Sequence, residues 1–364
     1  MVKAHLVILL FICALVSCNQ NDISIIRYHP NKSELVLTDS IIFSNTDDLY
    51  IGSINDIEVI SGNIYISDKS FSKIHVLDNK LNYLFSIGKY GDGPGEFATA
   101  PYLSDYDSNL VVFDRKYLKL MIYSKNILLK EIYLPKNFFY QTHNPLFLKG
   151  KIIIPATNKL SRELKNLRGY TTILLLNKNG TFFSKAGELV DDYTEHEEEL
   201  FYARHPFSII SAGPGDSFYA IQEATFKYQR YNMEGNLLET FEYKPRFFKN
   251  PPSVKVNQEA KDLKKAYENY YTKISYYAKL LFDKKNQILF VNYRSLNMNH
   301  YYSRSFLDAD NFLIAIDSKG QCILDQKIDG YLADIDDGFI YVLVEESPQR
   351  FVINKYILKV YNNE

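Results

Sequence analysis

Residues Ile54–Phe97 read INDIEVISGNIYISDKSFSKIHVLDNKLNYLFSIGKYGDGPGEF. The runs INDIEVI, NIYIS, KIHVLD and YLFSIG are rich in Ile, Val, Tyr and Phe. They are separated by Ser-Gly, Asp-Lys-Ser and Asp-Asn-Lys turns, which is the pattern of four short strands. An antiparallel meander of this kind cannot bury both faces alone. Its recurrence along the chain therefore predicts several meanders stacked face to face around an axis.

Two elements recur. A polar hairpin turn returns as Asp78–Leu81, Ser124–Ile127, Asn177–Gly180, Asn232–Gly235 and Asp317–Gly320, each between two apolar runs. Glycine in the fourth position of three of them supplies the positive φ a tight hairpin needs. Upstream, an inner run ending in acids precedes a β-rich second run: Ile54–Glu58 before NIYIS, Tyr102–Asp107 before NLVVF, and Tyr331–Asp336 before FIYVLV. The turns at 78, 124, 177 and 232 lie 46, 53 and 55 residues apart, close to the length of a propeller blade. Blades then begin at Ile54, near Tyr102, near Pro145, near His205, around Leu280 and at Tyr331. The expected fold is all-β: a six-bladed β-propeller of four-stranded antiparallel blades over residues 33–364. The last blade has only three evident strands, so residues 33–43, SELVLTDSIIF, are expected to close the ring as its outer strand.

The next gap, from 232 to 317, is 85 residues and implies an insertion. Ala260, Leu263, Tyr267, Tyr270, Ile274, Tyr277 and Leu281 fall three and four apart, which predicts an inserted amphipathic helix over 258–282. Such a helix packs on the rim, or serves as a lid or a docking element with an exposed apolar patch in an envelope assembly.

The chain is 46% hydrophobic and 15% aromatic, enough for a large core and far from a disordered profile. Forty-two basic residues against 43 acidic ones leave a net charge of −1. No field of that size would draw in nucleic acid or an anionic membrane. At the N-terminus, Lys3 and His5 precede the apolar run Leu6–Val16, about half of the roughly 20 residues a bilayer span needs. It reads as the core of a signal peptide over residues 1–17. Its ending, Leu15-Val16-Ser17-Cys18, resembles the lipobox of bacterial lipoproteins, which implies lipid attachment at Cys18, with 18–32 as a polar tether. Only Cys322 would then keep a free thiol, so packing rather than a disulfide must stabilise the fold.

Candidate chemistry is sparse. Gly88–Phe97 lacks the following helix and the Gly-Lys-Ser/Thr ending of a phosphate cradle, and reads as a crossing between blades. With the YISD strand before it, this IG..G.GPGEF connection resembles the NHL-like six-bladed propeller lipoproteins of Bacteroides-type bacteria. The acidic run Glu188–Glu199 has neither calcium-loop nor zinc spacing and reads as a solvated loop. No cofactor or metal motif is present, and none is expected. Asp56, Asp105 and Asp334 end inner strands and are the candidates for the mouth of the channel, or else turn caps.

The resemblance implies a non-catalytic binding protein at the cell envelope, as an outer-membrane lipoprotein. Its partner would be an envelope protein or a small ligand. The alternative is a metal-dependent lyase or hydrolase, in which His143, His205 and His300 would converge on the channel.

Overall fold

The structure, a computed structural model, describes residues 23–29, 32–46, 49–141, 143–158, 170–189, 208–222, 225–249, 264–265, 268, 271–303 and 305–361. The expected signal peptide, Cys18, the acidic residues from Asp191 onward and His205 lie outside the described residues.

Six sheets of four or five strands make up the described chain. Blade one is Ile54–Ile60, Asn63–Asp68, Lys73–Leu77 and Tyr83–Ile87, paired in that order. Blade two repeats the pattern with Tyr102–Tyr106, Asn109–Asp114, Lys119–Ser124 and Ile127–Tyr133. Blades three, four and five start from inner strands Leu146–Leu148, Ser208–Ala212 and Ser275–Asp283. In blade six, Tyr331–Asp336, Phe339–Glu346 and Arg350–Val360 are joined by Ser33–Ser44 on the outer edge. Five polar hairpins therefore serve six blades, because in the sixth the corresponding junction is where the two ends of the chain meet.

The second strands are apolar without alternation because each is covered on both faces. In Leu110–Phe113, Leu110 and Val112 enter the core between blades one and two. Val111 and Phe113 enter the core between blades two and three. Six such clusters fill the six wedges between neighbouring blades. In blades one, two and six the inner and second strands are joined by two-residue turns with both residues at positive φ: Ser61 and Gly62, Asp107 and Ser108, Asp337 and Gly338. These turns match the strand twist and fix the register of the inner strands.

Two expectations are corrected. The helix over 258–282 does not reach its predicted end. Lys264, Lys265 and Glu268 are helical, but Ser275–Asp283 is the inner strand of blade five, paired with Ile288–Ser295. A β-bulge between Tyr277 and Lys279 shifts the side-chain alternation by one residue, which imitates helical spacing in the sequence.

The second correction concerns the tether, which is part of the fold from Ile23 onward. Ile23–Ile25 adds a parallel strand to Leu237–Glu242, the outer strand of blade four. Ile26 is buried between blades four and five. His29 donates to the carbonyl of Cys322, whose own N–H donates to Arg27, on the outer strand of blade five. The N-terminal segment thus laces the rims of blades four, five and six in turn.

Candidate functional site

The inner strands of all six blades border one axial cavity of about 990 Å³. Asp56, Asp105 and Asp334 all line it. Their local roles differ. Asp56 lies near the start of its strand; its Oδ1 accepts from Ile57 N at 3.0 Å and its Oδ2 from Leu103 N of blade two at 2.8 Å. Asp334 Oδ2 accepts from Val59 N of blade one at 2.6 Å. These two carboxylates therefore staple neighbouring blades as well as facing the channel. Asp105 is exposed to the cavity and makes no such bond among the described residues.

Lys279 stands against these acids. Its Nζ lies 3.5 Å from Asp56 Oδ1 and 3.3 Å from Ile57 O, and it also donates to Ala333 O at close range. Burial works against its charge, but Asp56, Asp334 and Glu58 together hold its pKa above the usual lysine value. Glu58 lines the cavity from a buried position. Burial first, and then the neighbouring Asp334, push its carboxyl well above the usual range. Asp334 is likewise raised to about 7, by burial opposed by Lys279.

Glu58, Ser104 and Asp334 each lie two residues before the end of an inner strand that enters a two-residue turn, and so occupy equivalent heights in blades one, two and six. Sequence reasoning missed Lys279 because it fell inside the expected helix. It missed Glu58 and Ser104 because their equivalence depends on register.

Elsewhere the lining changes character. The inner edge of blade three is split, with Phe138–Tyr140 and Leu146–Leu148 pairing to different parts of Lys151–Asn158. Pro155 sits at the split, where its missing N–H would otherwise leave a gap in the ladder. His143 lies in the loop between the two short strands and lines the cavity. Burial within the ring, reinforced by Arg294, lowers its imidazole to about 4, so it is neutral at physiological pH. Arg294 lies 3.9 Å over the ring of Phe306, and both line the cavity.

His300 does not join His143. It is buried, stacked on Phe306, with Nδ1 2.7 Å from Ser305 O. Among the described residues no group of three or more His, Cys, Asp and Glu side chains is placed to hold a metal ion. The arrangement offers a pocket of mixed polarity with fixed acceptors and several cationic side chains, among them Lys279 and Arg294.

The glycine-rich connection Gly88–Phe97 runs from the outer strand of blade one to the inner strand of blade two. Phe97 is fully buried between those blades, and Glu96 accepts from Gly93 N at 2.9 Å. It is a crossing, remote from the cavity lining.

Residues 31–316 match a family described as 6-bladed beta-propeller. The fold is similar to that of a DUF4221 family member from Bacteroides vulgatus, with a TM-score of 0.65 at 10% identity, covering 91% of this chain and 99% of that one. A Bacteroides fragilis protein described as exported superposes with a TM-score of 0.59 at 13% identity, covering 93% and 99% of the two chains. No curated protein matches the sequence.

Proposed function

Starting from the chain's membership of this family of six-bladed β-propellers, we propose that it is a lipid-anchored binding protein of the cell envelope that takes a small ligand into its axial cavity without chemical conversion. The observation that carries this reading is the cavity itself. Six inner strands converge on one space of about 990 Å³ lined by both polar and apolar side chains, at the upper end of the range for small-molecule sites. A rigid ring holds such a lining in place at little conformational cost.

The anchor is read from the lipobox at Cys18. Only Asn19–Asp22 separate it from Ile23, the first strand residue on the rim of blade four. The five steps from Cys18 to Ile23 span at most about 18 Å, so acylation would hold the rim of blade four close to the bilayer. The exported character given to the B. fragilis protein agrees with an envelope location.

Two measurements test this. Metabolic labelling with a fatty acid should mark the full-length protein and not Cys18→Ala; an unlabelled wild type sinks the anchor. Thermal-shift titration with pooled small molecules should find a saturable stabiliser whose effect is lost in Arg294→Ala. If every class of compound leaves the melting curve unmoved, the cavity is not a ligand site.

A further inference from the structure

The acids of the cavity are not all answered by Lys279, the lysine set among them. An ammonium group has three N–H donors. Lys279 directs its donors at Asp56 Oδ1, Ile57 O and Ala333 O, on the seam of blades one and six. Among the described residues, the side chains of Glu58 and Asp105 take part in no hydrogen bond or ion pair, although both line the same cavity. Two further polar atoms on this lining are buried and unpartnered. They are Ser104 Oγ, in a residue 5% exposed, and Asn292 Oδ1, in a residue 1% exposed.

Asn292 is the direct cross-strand neighbour of Lys279. Its Nδ2 is committed to Phe312 O at 2.9 Å, which leaves the Oδ1 as a fixed acceptor. A buried polar atom without a partner costs about 1–3 kcal/mol, and a lining that keeps two of them beside unpaired carboxyl groups is built to receive donors. The required group carries several N–H bonds and a positive charge.

We propose that the cavity contains a subsite for the primary amino group of a small organic cation, received by Glu58, Asp105, Ser104 Oγ and Asn292 Oδ1. This rests on the cavity being a ligand site and specifies its ligand class. A metal ion is disfavoured by the donor geometry, because no three carboxylate or imidazole groups among the described residues are grouped to coordinate one. An ammonium tolerates wider spacing, since each of its donors points to a separate acceptor. The aromatic and cationic part of the lining, with Tyr102, Tyr331 and Arg294 over Phe306, is left to hold the remainder of the molecule.

The test is isothermal titration of the folded protein at pH 7.5 with putrescine, spermidine and glucosamine, against glucose, N-acetylglucosamine and calcium. At least one of the amines should bind one to one. It should bind at least about tenfold more tightly than the compounds lacking a free amino group, the increment expected of a charge-assisted hydrogen bond. The polyamine and amino-sugar arms identify the source of the amine. Glu58→Gln should weaken binding about tenfold or more, and Asp105→Asn, at an exposed position that cannot compromise folding, should weaken it several-fold.

Equal binding of glucose and glucosamine overturns the amine subsite while leaving the cavity as a binding site. Tighter binding of calcium than of any amine, or unchanged affinity in both variants, overturns it as well. Silence from all these probes, combined with a stabiliser from the thermal-shift pools, also rejects the amine subsite and spares the broader reading.

Discussion

Glu58 is a carboxyl whose charged form the fold disfavours. Burial and the neighbouring Asp334 raise its pKa, and Asp334 itself is raised to about 7 by burial. A group whose native pKa exceeds its unfolded value binds protons more tightly when folded. Its contribution to stability is therefore largest below the unfolded pKa and declines as pH rises toward the native one. For Asp334 that window runs from about 4 to about 7, and Glu58 contributes with the same sign. The wild-type protein should thus melt at a lower temperature at pH 8 than at pH 5. Glu58→Gln should raise the midpoint at pH 8 by about 1–3 °C and change it little at pH 4. Equal shifts at both pH values would show that the carboxyl is not strained in the native state. A gain in stability from the same change that weakens ligand binding is the usual trade at a functional site. The acids at 105 and 334 were legible as strand ends, since each sits within two residues of the strand end that enters a turn, whereas Asp56 lies near the start of its strand. That Asp56 and Asp334 staple neighbouring blades while Glu58 and Asp105 stay unpaired was not legible, because partners 47 and 275 residues apart meet only in the closed ring.

At the scale of the element, the crossing Gly88–Phe97 shows why its glycines are not a phosphate cradle. Gly88 has φ +72°, and a Cβ there would lie 2.2 Å from the ring of Phe97, which is completely buried. Gly88→Ala should cost about 2–4 kcal/mol from backbone strain and displacement of the ring. Gly62 has φ +81° but open space around it, so Gly62→Ala should cost only about 1 kcal/mol. Urea unfolding of the two variants separates the contributions, and similar losses would remove the steric part of the argument. The apolar spacing at Ile274, Tyr277 and Leu281, the C-terminal end of the expected helix, failed as a helix signal for a definable reason. A bulged strand also places apolar residues at mixed intervals, and Ser275–Asp283 is such a strand, continued by the Ile288–Ser295 hairpin.

At the scale of the whole molecule, stability depends on how the first residues are used. Ser33–Ser44 pairs along its length with Arg350–Val360, and Phe43 stacks on Phe351 with ring centroids 4.8 Å apart. A chain beginning at Lys32 keeps this closure but loses the lace over blades four and five, including buried Ile26 and the bonds to Cys322. It should stay folded and lose about 2–4 kcal/mol. A chain beginning at Asn45 also loses the outer strand of blade six and leaves an unpaired edge. It should aggregate or unfold under conditions where the longer chain is native, as read by size-exclusion chromatography and circular dichroism. Native behaviour of the shorter chain would mean that the ring holds without its closing strand.

The repeat of apolar runs and polar turns determined the fold from sequence alone, because each blade is a local unit whose strands follow one another and whose turns need particular residues. The count of six followed from the same local pattern. Only the tertiary structure decided the cavity. Its chemistry arises where residues from different blades come to equal heights around an axis, and that height depends on register, on a bulge beside Lys279 and on a split strand beside His143. The tertiary structure also decided the course of Ile23–His29, since its partners on blades four and five lie some hundreds of residues away along the chain.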